Sequence, residues 1–307
     1  MSELSADGIS TGGMSTGGLG AGGLGAGEAG AGLAAGATGR RARELPAGRY
    51  GLRGAVGMEW IRLRSLRSTW WITGLVVVSM IGLAILVLRY YPGHWSQLSA
   101  TDKAVFDPTE DGYAGLGVAQ LAAGVLGILA ATGEYASGMI RSTLVAVPRR
   151  GLVLTAKAVV VGLVTLVIGE VMAVATFLAG QAVLHSPAPH ATLGQPGVAR
   201  AVLMAGAYLP LIALTGLGLG LMVRRAAVAI SALVGLIFVL PIVTLPLPES
   251  AQHAVVPFLP ETIAENSLTA VKTVPFSLSP WAGLAMLVLY AALALGAAGL
   301  LLARRDA

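Results

Sequence analysis

Six long apolar runs alternate with shorter polar segments over most of this chain. They cover residues 70–88, 114–132, 158–184, 199–222, 227–247 and 281–303. Each run is close to or above the roughly 20 residues with which an α-helix crosses the hydrocarbon core of a bilayer. The pattern therefore predicts an all-α polytopic membrane protein with six transmembrane helices.

The composition supports this class. Of 307 residues, 55% are hydrophobic and only 11% are charged, whereas soluble domains carry roughly 25% charged residues. The mean hydropathy is +0.78. Cysteine is absent, which excludes disulfides and thiolate metal sites.

The amino-terminal region differs from the rest. Residues 1–39 are mainly Gly, Ala, Ser and Thr, with too little apolar surface to offset the entropy of ordering. We expect residues 1–49 to form a disordered, Gly/Ala-rich cytoplasmic tail, with a tether for a partner as the alternative. The tail shows no basic region followed by an apolar region of the kind that marks a cleavable signal peptide.

Residues 50–69 are basic and predict an interfacial helix. Leu52, Val56, Trp60 and Leu63 fall near one helical face, around which arginine side chains can reach the membrane surface. A solvated, positively charged anchor is the alternative. The residues assigned to this helix are Glu59, Trp60, Arg62, Arg64 and Arg67. The transmembrane domain would then occupy residues 70–307.

The distribution of positive charge predicts the orientation. Sixteen of the 20 Lys and Arg residues lie on one side of the predicted spans, and four lie on the other. The positive-inside rule then places both termini and the 133–157 loop in the cytoplasm. The basic net charge of +5 reflects this topology, and we expect no nucleic-acid partner.

The two larger outer segments have different patterns. Residues 89–113 contain several acidic residues and indicate a polar loop. In residues 248–280, Pro260 is placed to begin a short helix with Ile263, Leu268 and Val271 on its apolar side. We expect a partly buried or re-entrant extracytoplasmic helix before the sixth span.

The stretch between the second and third spans, GEYASGMIRSTLVAVPRR, is the densest polar patch in the middle of the chain. Ala136, Ile140, Leu144 and Val147 repeat at helical spacing, and Pro148 would end the helix. Arg149 and Arg150 would then lie at its C-terminal end, where the helix dipole favours cations. The pattern predicts a short amphipathic docking helix on the rim of the membrane domain.

Catalytic motifs are absent from the sequence. It contains no G-x-x-x-x-G-K-[ST] phosphate loop, no H-E-x-x-H metal motif and no G-x-S-x-G nucleophile motif. We expect no enzymatic activity, metal or cofactor of the chain's own.

Glu170 is the one acidic residue within the predicted spans. Gln181 lies eleven residues later on nearly the same helical face, about 16 Å along the axis. The pair could line a substrate path or carry a proton, or Glu170 could be a neutral carboxyl that bonds a neighbouring helix.

The fourth span ends in TGLGLGLMVRR, which contains Gly216, Gly218 and Gly220. Small residues allow helices to approach closely in lipid. These glycines predict tight packing within the chain or, alternatively, a dimer seam.

Four segments resemble the permease subunits of type-two ABC exporters of the actinobacterial style. The 133–150 stretch resembles the first cytoplasmic loop of that family. EWIRLRSLRSTWW (Glu59–Trp71) is similar to its pre-span interfacial helix, FLPETIAENSLTAV (Phe258–Val271) to its outer helix, and residues 279–307 to its last span. The resemblance covers about residues 55–307, and residues 1–50 have no counterpart in it.

The resemblance implies a non-catalytic permease subunit in the bacterial plasma membrane. It would form the substrate path with a second permease copy or paralogue and couple to separate ATPase subunits, which bind the ATP. The residues implied for ATPase coupling are Glu134, Gly138, Ile140, Arg141, Leu144, Arg149 and Arg150. Two alternatives stay open, namely an ion-coupled secondary carrier that uses Glu170 and a membrane scaffold protein.

Overall fold

The computed structural model describes residues 51–136, 138, 150–270 and 277–304. The predicted tail at 1–49 lies outside the described residues. In chain order the described helices are α1 (Leu52–Ser65), α2 (Arg67–Val77), α3 (Leu83–Leu88), α4 (Tyr90–His94), α5 (Ala100–Val105), α6 (Leu116–Ala136), α7 (Arg150–Val183), α8 (Val198–Val223), α9 (Ala226–Val234), α10 (Leu240–Thr244), α11 (Glu249–Val255), α12 (Pro260–Leu268) and α13 (Pro280–Arg304).

The prediction of an all-α fold with six spans is confirmed. Six helical stretches among the described residues are long and apolar enough to cross a membrane. They are Arg67–Gln97, Leu116–Tyr135, Gly151–Val183, Val198–Val223, Ala226–Thr244 and Pro280–Arg304. These stretches extend beyond several of the predicted runs, and the second and third now include Glu134 and Lys157.

The fourth span, α8, lies at the centre of the bundle and packs against α6, α7 and α13. Its glycines make this packing close. A Cβ on Gly216 would collide with the backbone of Gly124 in α6, and one on Gly218 would collide with Ala294 in α13. A Cβ on Gly220 would lie 2.8 Å from the Cβ of Ala131 in α6. These glycines therefore pack the core of the chain, and the alternative of a dimer seam at these positions is wrong.

Two spans contain a π-helical turn. In the first span this turn is Val78–Gly82, and in the fifth it is Gly235–Val239. The second turn lies just before Pro241, which cannot donate a backbone hydrogen bond. Such turns are a common origin of helix kinks.

The segment 89–113, predicted to be an outer polar loop, contains α4, α5 and a 3₁₀ turn at Asp111–Tyr113. Asp107 within it is fully buried. Its carboxylate accepts hydrogen bonds from the backbone N–H of Thr109 at 2.9 Å and of Ala270 at 2.7 Å. The segment is therefore an ordered connection, in which Asp107 bonds both a neighbouring backbone group and one that is distant in sequence.

The predicted short helix before the sixth span is confirmed as α12, with Pro260 in its first turn. Ile263 and Leu268 are buried as expected, and Val271 lies outside the described residues. The Tyr208 hydroxyl of α8 hydrogen-bonds the Gln120 side chain of α6, and it lies 3.3 Å from the Pro260 carbonyl oxygen. The helix is thus seated on the centre of the bundle.

Candidate functional site

Four charged side chains meet at one end of the bundle, where α1, the end of α6 and the start of α7 come together. The Lys157 Nζ atom donates to both carboxylate oxygens of Glu59, at 2.9 and 2.8 Å. It also donates to Glu134 Oε1 at 2.8 Å. Arg62 forms an ion pair with the same Glu134 oxygen. We call these four residues the ionic cluster.

The ionic cluster is removed from solvent. Glu134, Lys157 and Glu59 are only 1%, 2% and 5% exposed. Two carboxylates face an ammonium and a guanidinium, so the formal charges balance. Buried charges of this kind persist in proteins only when they are paired and hydrogen-bonded. The pKa of Arg62 is lowered by its burial, and the charge of Glu59 opposes that shift.

The local sequence explains how α1 reaches the cluster. Ala55, Glu59 and Leu63 form its buried face, and α1 packs along α7. The helix ends at Leu66, whose backbone is extended. The Thr69 hydroxyl donates to the Leu63 carbonyl oxygen at 2.8 Å, which satisfies a group that the end of α1 leaves unpaired.

A second contact joins the same end of α6 to the turn between α8 and α9. The guanidinium of Arg224 lies over the Tyr135 ring, 5.2 Å from its centroid. Arg224 has a positive φ of 61°, and its N–H bonds the Gly220 carbonyl at the end of α8. Neighbouring residues Glu134 and Tyr135 therefore connect α6 to different parts of the bundle.

The structure differs from the predicted docking helix at the N-terminal end of that helix. Gly138 has a φ of 70°, which an α-helix does not accommodate but which is common just after one. Glu134 therefore belongs to α6, and the single helix predicted to carry both Glu134 and Arg141 is wrong. Arg150 is the first residue of α7, and the helix end predicted before it lies outside the described residues.

The remaining residues predicted for ATPase coupling lie outside the described residues. They are Ile140, Arg141, Leu144 and Arg149. Glu134 is described, and its burial means that it contacts Arg62 and Lys157 rather than solvent.

The residues predicted for the interfacial helix divide into two groups. Trp60, Arg64 and Arg67 are exposed, whereas Glu59 and Arg62 belong to the ionic cluster. The sequence pattern predicts one apolar stripe surrounded by arginines. In the structure, the face that carries Glu59 is buried against α7.

Glu170 and Gln181 do not share one site. Gln181 bonds two outer segments, since its Nε2 donates to the Pro108 carbonyl at 3.0 Å and its Oε1 accepts from the Ala191 N–H at 2.7 Å. Glu170 is half-buried and lies against Gly206 of α8, where a Cβ would collide with the carboxyl group. Within the described part of the chain, no ion pair to Glu170 occurs.

Lys157 is the functional candidate that sequence reasoning missed. It was counted only as a positive charge at the membrane surface. One signal was available, because a lysine beside a long apolar run usually needs a partner. Its partners are 98 and 23 residues away in sequence, so spacing could not identify them.

Within the described ranges, no group of three or more His, Asp or Glu side chains lies close enough to hold a metal ion. Comparison of the chain with protein-family models and with curated proteins finds no match.

Proposed function

We propose that this chain is the membrane-spanning permease subunit of an ATP-driven exporter. In this proposal it forms a substrate path with a second permease copy or paralogue in the bacterial plasma membrane. Both termini would be cytoplasmic, and a separate ATPase subunit would bind the ATP. The resemblance of four segments to type-two ABC exporter permeases motivates the proposal.

The ionic cluster is the observation that carries the proposal. The two ends of the segment between α6 and α7 are close in sequence to members of the ionic cluster, since α6 ends at Ala136, two residues after Glu134, and α7 begins at Arg150, seven residues before Lys157. Both ends of this segment are thus tied to each other and to Glu59 and Arg62 of α1. A partner that moves this segment would move three helices together.

The energetics of buried ion pairs support such a transmitting role. Removal of one partner from a buried pair typically costs about 3–5 kcal/mol, because the other charge is left uncompensated. Separation of α1 from α6 and α7 would carry a cost of this kind. The three elements therefore favour a concerted movement over independent ones.

The sharpest test is co-purification of the detergent-solubilised chain with an ATPase subunit encoded beside it. Arg141→Ala probes the segment that would face the ATPase. Arg225→Ala is the matched control, since Arg225 is an exposed arginine after α8. We expect Arg141→Ala to lose the ATPase and Arg225→Ala to retain it, with ATP turnover by the bound subunit as the second readout.

Glu134→Ala is unsuited to this test because it would leave Lys157 and Arg62 with one carboxylate fewer and disturb the fold. Failure of the wild-type chain to hold an ATPase under mild conditions would overturn the exporter proposal. Equal retention by Arg141→Ala and Arg225→Ala would instead overturn the assignment of the coupling segment.

Glu170 favours an ion-coupled carrier as the second candidate, since it is a carboxyl within a span with no ion pair among the described residues. Glu170→Gln preserves its shape and removes its charge. A carrier would lose proton-coupled uptake in reconstituted vesicles. A permease that uses Glu170 only for packing against Gly206 would keep its ATP-dependent transport.

A further inference from the structure

An apolar groove of about 460 Å³ opens between α1, α2 and α7. Its walls include Val56, Trp60 and Leu63 from α1 and Val160, Leu163 and Val167 from α7. The volume falls within the roughly 300–1,000 Å³ typical of small-molecule sites. Leu163 and Val167 are each more than half exposed, so the groove is accessible from the membrane.

The polar groups of the groove wall are already satisfied within the chain. The hydroxyls of Thr69 and Thr73 donate to the carbonyls of Leu63 and Thr69, each at 2.8 Å. The Trp70 indole N–H donates to the Arg64 carbonyl at 3.1 Å. The wall therefore suits a hydrocarbon occupant, which offers no hydrogen bonds.

Arg64 is the exception among the lining residues. Its guanidinium is exposed, and no ion pair to it occurs within the described part of the chain. Arg62, two residues earlier, is instead committed to Glu134. The groove thus combines an apolar wall with one exposed cation from α1.

We propose that this groove binds one acyl chain of an anionic phospholipid, with Arg64 holding the headgroup phosphate. The lining residues from Val160 to Ile168 extend about 12 Å along α7, so the chain would descend from the surface into the hydrocarbon region. Trp60 and Trp70 line the same groove, and tryptophan is a residue that favours the membrane interface. Charge complementarity selects an anionic headgroup over a zwitterionic one.

The test uses the full chain reconstituted in phosphatidylcholine vesicles with a trace of phosphatidylglycerol that carries a diazirine on one acyl chain. After irradiation, labelled peptides are mapped by mass spectrometry. We expect labelling to concentrate on residues 160–168 and 56–63. Unlabelled phosphatidylglycerol should compete with the probe, whereas soluble glycerol phosphate should not.

Matched variants separate the headgroup contact from the apolar contact. Arg64→Gln should lower labelling about five-fold, the effect expected for one arginine at an anionic surface. Arg53→Gln removes an exposed charge of the same helix that does not line the groove and should leave labelling unchanged. Val167→Trp should fill the groove and abolish labelling, whereas Val171→Trp, one turn along α7, should not.

Three results would overturn the proposal. The first is equal labelling by a phosphatidylcholine probe with no effect of Arg64→Gln, which would indicate ordinary lipid contact. The second is labelling spread evenly over the exposed faces of the spans. The third is protection of the groove together with a cross-link between two copies of the chain, which would indicate a permease interface. None of these results depends on whether an ATPase binds.

Discussion

At one end of the bundle four ionised side chains pair with one another, whereas at the other end single side chains bond backbone groups of the connecting segments. Lys157 and its partners form the first arrangement. The second is formed by Asp107, Gln181 and Arg200, which bond the backbone of Ala270, Ala191 and Thr269 at 2.7, 2.7 and 2.8 Å.

The two arrangements should respond differently to the substitution of one side chain. A side chain that bonds a backbone group fixes one segment at one position, and its loss affects that segment. A balanced cluster of charges makes three elements depend on each other, because removal of any member leaves the remaining charges of the cluster unbalanced. We therefore expect the outer end to respond locally to substitution and the ionic cluster to respond as a unit.

The largest expected effect comes from Lys157→Met. This change leaves the Glu59 and Glu134 carboxylates buried together without their shared cation, and we expect the free energy of unfolding to fall by about 3–5 kcal/mol. Denaturant titration of the solubilised protein, followed by tryptophan fluorescence, measures this loss. Arg53→Met, on the exposed side of α1, is the matched control.

The cooperative nature of the cluster has its own test. Adding Glu59→Gln to Lys157→Met leaves Glu134 paired with Arg62, so the remaining charges balance and the double variant should recover most of the lost stability. Additive losses across the two substitutions would mean that the residues act independently, which would remove the contrast between the two ends.

A smaller, local effect is expected for Asp107→Ala. The backbone N–H groups of Thr109 and Ala270 would lose their acceptor, which corresponds to about 1–3 kcal/mol for a buried group. Hydrogen exchange should accelerate at these amides and stay unchanged around Lys157. Asp107→Asn keeps one acceptor oxygen and should lie between the alanine variant and the wild type. Faster exchange throughout the protein would contradict a local role.

The smallest effect concerns pH and Glu261 at the outer end. Burial, and then the nearby charge of Glu265, raises the pKa of Glu261. A carboxyl with a raised pKa favours the folded state below its unfolded pKa, and this contribution is lost as the pH rises through its folded pKa. Glu261→Gln should therefore have a higher unfolding midpoint than the wild type at neutral pH.

The difference between Glu261→Gln and the wild type should shrink as the pH is lowered through the carboxyl range. Glu265→Gln, which removes the neighbouring charge, should reduce the same pH dependence in part. Thermal midpoints recorded across the pH series provide the measurement. A difference that does not vary with pH would show that Glu261 acts through packing alone.

The spans could be predicted from sequence because length and apolar composition suffice to identify a membrane helix. Pro260 was equally informative, since its missing N–H fits the start of a helix. Apolar periodicity predicts one helix that includes both Ala136 and Ile140. The positive φ of Gly138, which lies between them, contradicts a helix that begins at Ala136. Glycine after a helix often adopts positive φ, and that signal was present in the sequence.

The candidate site could not be predicted in the same way. Glu59, Glu134 and Lys157 come from three separate elements, and their meeting depends on how α1 packs against α6 and α7. The count of positive charges uses Lys157 only as evidence for the orientation of the spans. It does not indicate that Lys157 is buried in an ion pair. Gln181 was paired with Glu170 from helical spacing alone, whereas its hydrogen bonds go to Pro108 and Ala191 in the outer segments.

The order of the ionic cluster in the chain has a consequence for biogenesis. Glu59 and Arg62 are synthesised before the first span, whereas Lys157 follows about 5–20 s later at usual rates of translation. Until then Glu59 can remain hydrated at the membrane surface, and Arg62 can pair with Glu134 once the second span has inserted. Glu59 can be buried in its ion pair only after Lys157 has been synthesised. The cluster is therefore completed only when the third span has entered the membrane.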